Sequence, residues 1–189
     1  LYVRKGIKIA AVQQGGAQER NLRAGTENVP SIIGLAKAAE VAMANMDKKI
    51  AHETYLRDKL IKGIQEKIGY IKLNGHPTKR MPNNVNFSFR FVEGEALLLS
   101  LDLKGIAASS GSACTSGSLD PSHVLLAMGM SHEVAHGSLR LSLGHTNTEE
   151  EVDYCLEVLP QIIERLRMMS PLSPENMAIE KENCETCSK

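Results

Sequence analysis

The run Ser109-Ser110-Gly111-Ser112-Ala113-Cys114-Thr115-Ser116-Gly117-Ser118 sets one thiol among small side chains. Nothing in it can fill a core, and its two glycines and five serines favour a wet, mobile backbone. A structural cysteine usually sits among Leu, Ile and Val instead. Cys114 is therefore read as a reactive thiol, the alternative being a passive loop cysteine. The second residue out of keeping with its surroundings is Arg140, in the alternating run Ser138-Leu139-Arg140-Leu141-Ser142-Leu143. A guanidinium grips a carboxylate in a two-point fork that Lys cannot reproduce. Snorkelling past the strand leucines is the competing reading.

Two further patterns invite chemistry. His132-Glu133-Val134-Ala135-His136 matches H-E-x-x-H, the zinc-hydrolase pattern. That chemistry needs a helix long enough to hold both imidazoles on one face, and a third ligand. The run starts at Ser131 and stops at Gly137, so surface histidines are expected and no metal ligands are assigned. Cys184-Glu185-Thr186-Cys187 is a C-x-x-C with no second pair to complete four ligands. It is read as part of a polar tail.

The elements that must position these groups follow from periodicity. Leu1-Tyr2-Val3 reads as the end of a strand, and Ile7 to Val12 as a second apolar run. Residues 13 to 28 are polar and glycine-containing, an exposed loop. A helix begins near Asn28, tolerates Pro30 in its first turn, and keeps helical spacing from Ile32 to Met46. Asp47-Lys48-Lys49 reads as a break or kink before a second helical pattern from Ile50 to Ile68. Ile71-Lys72-Leu73 is a short strand, Asn74-Gly75-His76-Pro77 a turn, and Asn84 to Phe91 a half-buried strand. Glu93-Gly94-Glu95 opens a helix. The run Gly105 to Ala108 is expected as the strand feeding the cysteine loop, with Asp120 and Pro121 starting the helix after it. Thr148-x-x-Glu151 is a capping box. The final helix carries Val152, Cys155, Leu156, Leu159, Ile163 and Leu166 on one stripe, with Pro160 expected to kink it. Cys155 is read as packing.

Composition narrows the class. The 189 residues carry 22 basic and 22 acidic side chains, which argues against an electrostatic nucleic-acid footprint. Aromatics are 4% and Trp is absent, so base-stacking platforms are not expected. No apolar run reaches the length of a membrane span. Four unevenly spaced cysteines do not make a disulfide framework, and a reducing, cytoplasmic setting is expected. Leu1 is not an initiator Met, so the chain is expected to be part of something longer. The fold class is α/β, more closely an α+β small domain, a sheet covered by helices.

Three stretches together resemble the NifS/IscS-type cysteine desulfurases, in order and in spacing, over roughly residues 1 to 170. They are Gly15-Gly16 through Gln18-Glu19-Arg20 to Arg23-Ala24-Gly25-Thr26-Glu27-Asn28, then Ser109 to Ser116, then Ala135-His136-Gly137-Ser138-Leu139-Arg140-Leu141-Ser142-Leu143-Gly144. Ala17 departs from the pattern, which usually has a third glycine there. The resemblance implies a homodimeric fold-type I pyridoxal-phosphate enzyme of the class V aminotransferase family. Such enzymes turn L-cysteine into L-alanine, leave a persulfide on a cysteine, and pass the sulfur to an acceptor such as an iron–sulfur scaffold. It implies Cys114 as nucleophile, Arg140 as holder of the substrate carboxylate, and Thr26 as donor to the cofactor phosphate of the other subunit. A helix N-cap is the alternative for Thr26.

The family's cofactor lysine precedes the part matching Leu1-Tyr2-Val3. The chain is therefore expected to be the C-terminal portion, to lack pyridoxal phosphate when alone, and to be inactive alone. Its expected parts are residues 1–27, the end of the large domain and a dimer loop; 28–68, a linking helix; 69–170, the small domain with the cysteine loop; and 171–189, a flexible tail. A non-enzymatic fragment that folds or binds partners, and a zinc hydrolase using His132, Glu133 and His136, are the rival readings.

Overall fold

The computed structural model describes residues 1–110 and 121–173. The chain divides into two compact units, Leu1–Met46 and Asp47–Lys189.

In the first unit the strand end expected at Leu1–Val3 does not form; the backbone makes a turn closed by Ile7 N–H to Arg4 O at 3.1 Å. A lone strand leaves its backbone donors and acceptors unpaired, and no described strand of this unit is there to pair with them. A single turn, α1 (Gln18–Asn21), follows, in which Glu19, Arg20 and Asn21 take φ of 50°, 57° and 64°. Helix α2 (Val29–Ala44) is capped by Asn28, whose Oδ1 accepts from Ser31 N–H, and Pro30 sits in its first turn where no N–H is needed. None of its residues is buried; Ile32, Ile33, Leu35 and Met43 all face solvent.

The expected break at Asp47–Lys49 falls earlier, at Asn45. Its side-chain amide donates to Val41 O at 2.9 Å and its φ/ψ of −110°/4° leaves the helix. Asp47 to Lys49 lie inside helix α3 (Met46–Lys67).

The second unit is built on a three-stranded antiparallel sheet in the order β1 (Ile71–Leu73), β2 (Asn84–Phe89), β3 (Ser138–Ser142). Val85, Phe87 and Phe89 of β2 and Leu139 and Leu141 of β3 share one face. They form a single core with Leu56, Leu60 and Ile64 of α3, with Leu97 and Leu101 of helix α4 (Gly94–Asp102), and with helix α7 (Glu149–Met169). α7 supplies Val152, Cys155, Leu156, Leu159, Ile163 and Leu166 as its stripe implied, and also Val158 and Ile162. The capping box at Thr148 and Glu151 is formed. α7 continues through Pro160 as one element. Pro160 has no N–H to give Leu156 O, and Lys67 Nζ donates to that carbonyl instead, at 3.0 Å.

β2 ends at Phe89, two residues before the alternation in the sequence does. Phe91 takes φ of 65° and leaves the ladder, packing edge-on against Tyr70 at 5.7 Å. Behind the sheet, helices α5 (His123–Ala127) and α6 (His132–His136) bring Leu125, Met130 and Ala135 into a second small cluster.

Candidate functional site

β3 places Arg140. Leu139 and Leu141 are buried in the core, so the pleat turns Arg140 to the other face. The register runs Asn86↔Arg140 between β2 and β3, and the next pair is Phe87↔Leu139. Asn74, just past β1, donates its N–H to Asn86 O at 2.9 Å. On the far side of β3, Ser109 forms an antiparallel bridge with Arg140. Asn74, Asn86, Arg140 and Ser109 therefore make one row across four chain segments. Beneath it, Asn74 Nδ2 donates to Asn86 Oδ1 at 2.7 Å and to Ser88 Oγ at 2.9 Å.

The Arg140 guanidinium is under-satisfied. Its Nη2 donates to Ser109 Oγ over a long 3.4 Å, and its Nε is buried with no partner. A snorkelling arginine would carry its donors out to water. The Nε of Arg140 is instead buried, with an unused donor.

Gly137 holds β3 against the end of β2. Its carbonyl accepts from Phe89 N–H at 2.8 Å, and a Cβ there would fall on Phe89 O.

The expected strand over Gly105–Ala108 is not formed. Gly105 N–H donates to Asp102 O at 2.8 Å and Ile106 N–H to Leu101 O at 3.0 Å, so this run closes the end of α4 and only Ser109 joins the sheet. Cys114 lies outside the described residues, as do Asp120, Cys184 and Cys187. The two ends of the Cys114 segment are both anchored in the second unit. Ser109 is bridged to β3, and Ser122 is buried with its carbonyl accepting from Leu126 N–H at 3.0 Å. α5 starts at His123, not at Pro121, because Ser122 is still extended at φ/ψ −52°/119°.

Cys155 is buried in the core, and burial pushes its thiol up to about 11. Its proton is held too tightly for nucleophilic work near neutral pH. His132, Glu133 and His136 sit on the five-residue α6, and among the described residues no group of three His, Cys, Asp or Glu side chains comes together. No described helix is long and apolar enough to cross a membrane.

Thr26 belongs to the first unit. It is exposed, and the cap of α2 is Asn28, so Thr26 is not the N-cap. The loop before it is closed by Gln18 Oε1, which accepts from Gly25 N–H at 3.1 Å, and by Ala24, which is buried. Ala17 takes φ/ψ of −83°/13°, which any L-residue adopts, so the missing glycine costs nothing there.

Sequence reasoning singled out Arg140 but did not place Ser109 and Asn86 beside it. The signal for Asn86 was present in the polar positions of β2; the pairing of Ser109 had none.

A chain with a small antiparallel sheet and an under-satisfied arginine at the root of a thiol-bearing segment matches known proteins over most of its length. The family profile described as Aminotransferase class-V matches residues 6–155. The chain belongs to the class-V aminotransferase family. It is 59% identical over 175 residues to the cysteine desulfurase IscS of Methanosarcina thermophila, covering 93% of this chain and 43% of that protein. It is 56% identical over 184 residues to the cysteine desulfurase IscS of Clostridium botulinum, covering 96% of this chain and 46% of that one. Among solved structures it resembles a NifS-like protein at 37% identity with a TM-score of 0.74, over 86% of this chain and 41% of that chain. A NifS-like protein from Rickettsia africae gives 30% identity and a TM-score of 0.72, over 84% and 41%. The chain thus spans less than half the length of the curated relatives it matches.

Proposed function

We propose that this chain is the C-terminal part of a cysteine desulfurase. The observation that carries the reading is the buried, unpartnered Nε of Arg140, bridged through Ser109 to the segment that reaches Cys114 five residues later. In this reading Arg140 holds the carboxylate of L-cysteine while the Cys114 sulfur attacks the substrate sulfur. The Cβ–S bond breaks, an S–S bond forms, and Cβ takes up a proton to give L-alanine. Carbon is reduced and sulfur oxidised, so no outside reductant is needed. The persulfide then passes to an acceptor such as an iron–sulfur scaffold protein.

The complete enzyme uses pyridoxal 5'-phosphate, which supplies an electron sink next to the amino-acid Cα. The described residues fit only its phosphate. Thr26 presents an exposed hydroxyl suited to a phosphate oxygen, in this proposal on the partner subunit of a homodimer. None of the described lysines is buried, Lys5 and Lys8 included. A lysine fixed against the ring is what attachment of the cofactor requires. The chain by itself is accordingly proposed to be inactive and cofactor-free, and the enzyme to work in the cytoplasm.

The test compares the full-length enzyme with its Cys114→Ala variant and with this chain alone, each given L-cysteine and pyridoxal phosphate. Expected is alanine release and a persulfide mapped to Cys114 in the full-length enzyme only. A persulfide on Cys155, or alanine release unchanged in Cys114→Ala, removes Cys114 from the reaction. Full activity of this chain alone overturns the incomplete-chain reading.

A further inference from the structure

We infer that Ser109 is the positioning residue that orients Arg140 for a carboxylate and ties that orientation to the root of the cysteine segment. The inference rests on the desulfurase reading above.

Ser109 holds Arg140 at three points. Arg140 N–H donates to Ser109 O at 2.7 Å, Ser109 N–H donates to Arg140 O at 3.1 Å, and Arg140 Nη2 donates to Ser109 Oγ at 3.4 Å. A serine hydroxyl has one donor and two acceptor lone pairs. Here the donor is committed, since Ser109 Oγ donates to Ser110 O at 2.9 Å. The hydroxyl is left facing Arg140 as an acceptor only. Across the sheet, the opposite neighbour Asn86 is engaged with Asn74, whose Nδ2 donates to Asn86 Oδ1 at 2.7 Å.

Strength decides the role. At 3.4 Å the contact to Ser109 Oγ is at the weak end of hydrogen-bond geometry. A carboxylate adds opposite charge and a second, parallel hydrogen bond that a serine hydroxyl cannot offer a guanidinium. Ser109 therefore limits the rotation of the guanidinium without saturating it, and an incoming carboxylate takes over the Nη2 donor. The same hydroxyl grips the carbonyl of Ser110, the first residue beyond it on the way to Cys114. One oxygen thus links the arginine to the backbone that carries the thiol.

The experiment uses the full-length enzyme and compares L-cysteine with L-cysteinamide, which lacks the carboxylate. Ser109→Ala is expected to raise KM for L-cysteine roughly three- to tenfold, the effect of one long and therefore weak hydrogen bond, with kcat moving less than about twofold. The preference for L-cysteine over L-cysteinamide falls by the same factor. Ser109→Thr keeps the hydroxyl and restores both. Ser109→Asp puts a carboxylate on Arg140 and abolishes the preference. In an Arg140→Lys background, Ser109→Ala adds nothing further. Crystal structures give a readout apart from turnover: the guanidinium plane rotates in Ser109→Ala and stays in Ser109→Thr.

An unchanged preference in Ser109→Ala overturns the inference, and so does an equal loss in the Arg140→Lys background. If Ser109→Ala does not fold, the Thr and Asp variants decide: a preference kept by Thr and lost by Asp supports the inference, and equal behaviour of the two overturns it. Failure of the desulfurase reading is seen separately, as a wild-type enzyme that releases no alanine.

Discussion

Ser109 and Arg140 exchange both backbone hydrogen bonds, although 31 positions separate them in the chain. Ser109 is the last residue before the cysteine segment to be tied to the sheet, and Arg140 is the one under-satisfied cation on the polar face of β3. The register of β2 on β3 turns Arg140 to the polar face, and a slip of one residue there would bring Leu139 or Leu141 to that face and carry Arg140 to the core side. The bridge fixes Ser109, from which the cysteine segment starts, beside Arg140.

Arg140→Lys in the full-length enzyme keeps the charge and loses the fork. A hydrogen bond to a charged group contributes about 1.5–3 kcal/mol, so KM for L-cysteine is expected to rise by roughly one to two orders of magnitude. Steady-state kinetics with a check of thermal melting measure this. An unchanged KM in a folded variant takes Arg140 out of the site.

Cys155 is expected to resist alkylation in the native protein near neutral pH and to react on unfolding. Its folded thiol is raised from 9.0 to about 11, so between those values the unfolded state has lost the proton that the native state keeps. Stability contributed by this thiol is present below pH 9 and is lost as pH rises towards 11, by about 2–3 kcal/mol in all. Urea unfolding followed across that range reads the loss. A Cys155→Ser variant with the same alkaline slope as wild type would assign the loss to another group.

Thr148→Ala removes the hydroxyl that accepts from Glu151 N–H at 3.3 Å. Loss of such a cap is expected to lower stability by about 1 kcal/mol. The reciprocal half titrates: the Asn147 side chain and the Thr148 backbone N–H hold the Glu151 carboxyl below its usual range. Its stabilising share is present above the ordinary carboxylate range and is lost as pH falls through the lowered value. Denaturation of the wild type and of Glu151→Gln at pH 7 and at acid pH checks the sign, because the gap between them narrows in acid.

Gly137→Ala is expected to destabilise the second unit by about 3 kcal/mol or more. The added methyl falls on Phe89 O and lies 2.9 Å from Val92 O, both backbone atoms with no freedom to move aside. Thermal melting gives the size of the effect. A variant as stable as wild type would show that the β2–β3 junction can relax.

Much of this protein was legible in the sequence where the signal is local. The α7 stripe, its capping box and the Asn28 start of α2 are decided by residues within one or two turns of each other. So is the alternation of β3, which turned Arg140 away from Leu139 and Leu141 before any partner strand was known. Where a partner elsewhere in the chain decides, the local signal misled. Leu1–Val3 has strand character, but a strand forms only when another strand takes its backbone groups. Phe91 continued an alternation that ends at Phe89, since Gly137 takes the Phe89 N–H and the chain then turns at positive φ. Pro160 leaves Leu156 O without its helical donor, and Lys67, 89 residues away from Leu156, supplies one. The same holds at the site. The residue types of Cys114, Arg140 and Thr26 were written in three motifs. That Ser109 is the neighbour of Arg140 was not, because an antiparallel register between distant segments is a property of the packed sheet and has no spacing in the chain to announce it.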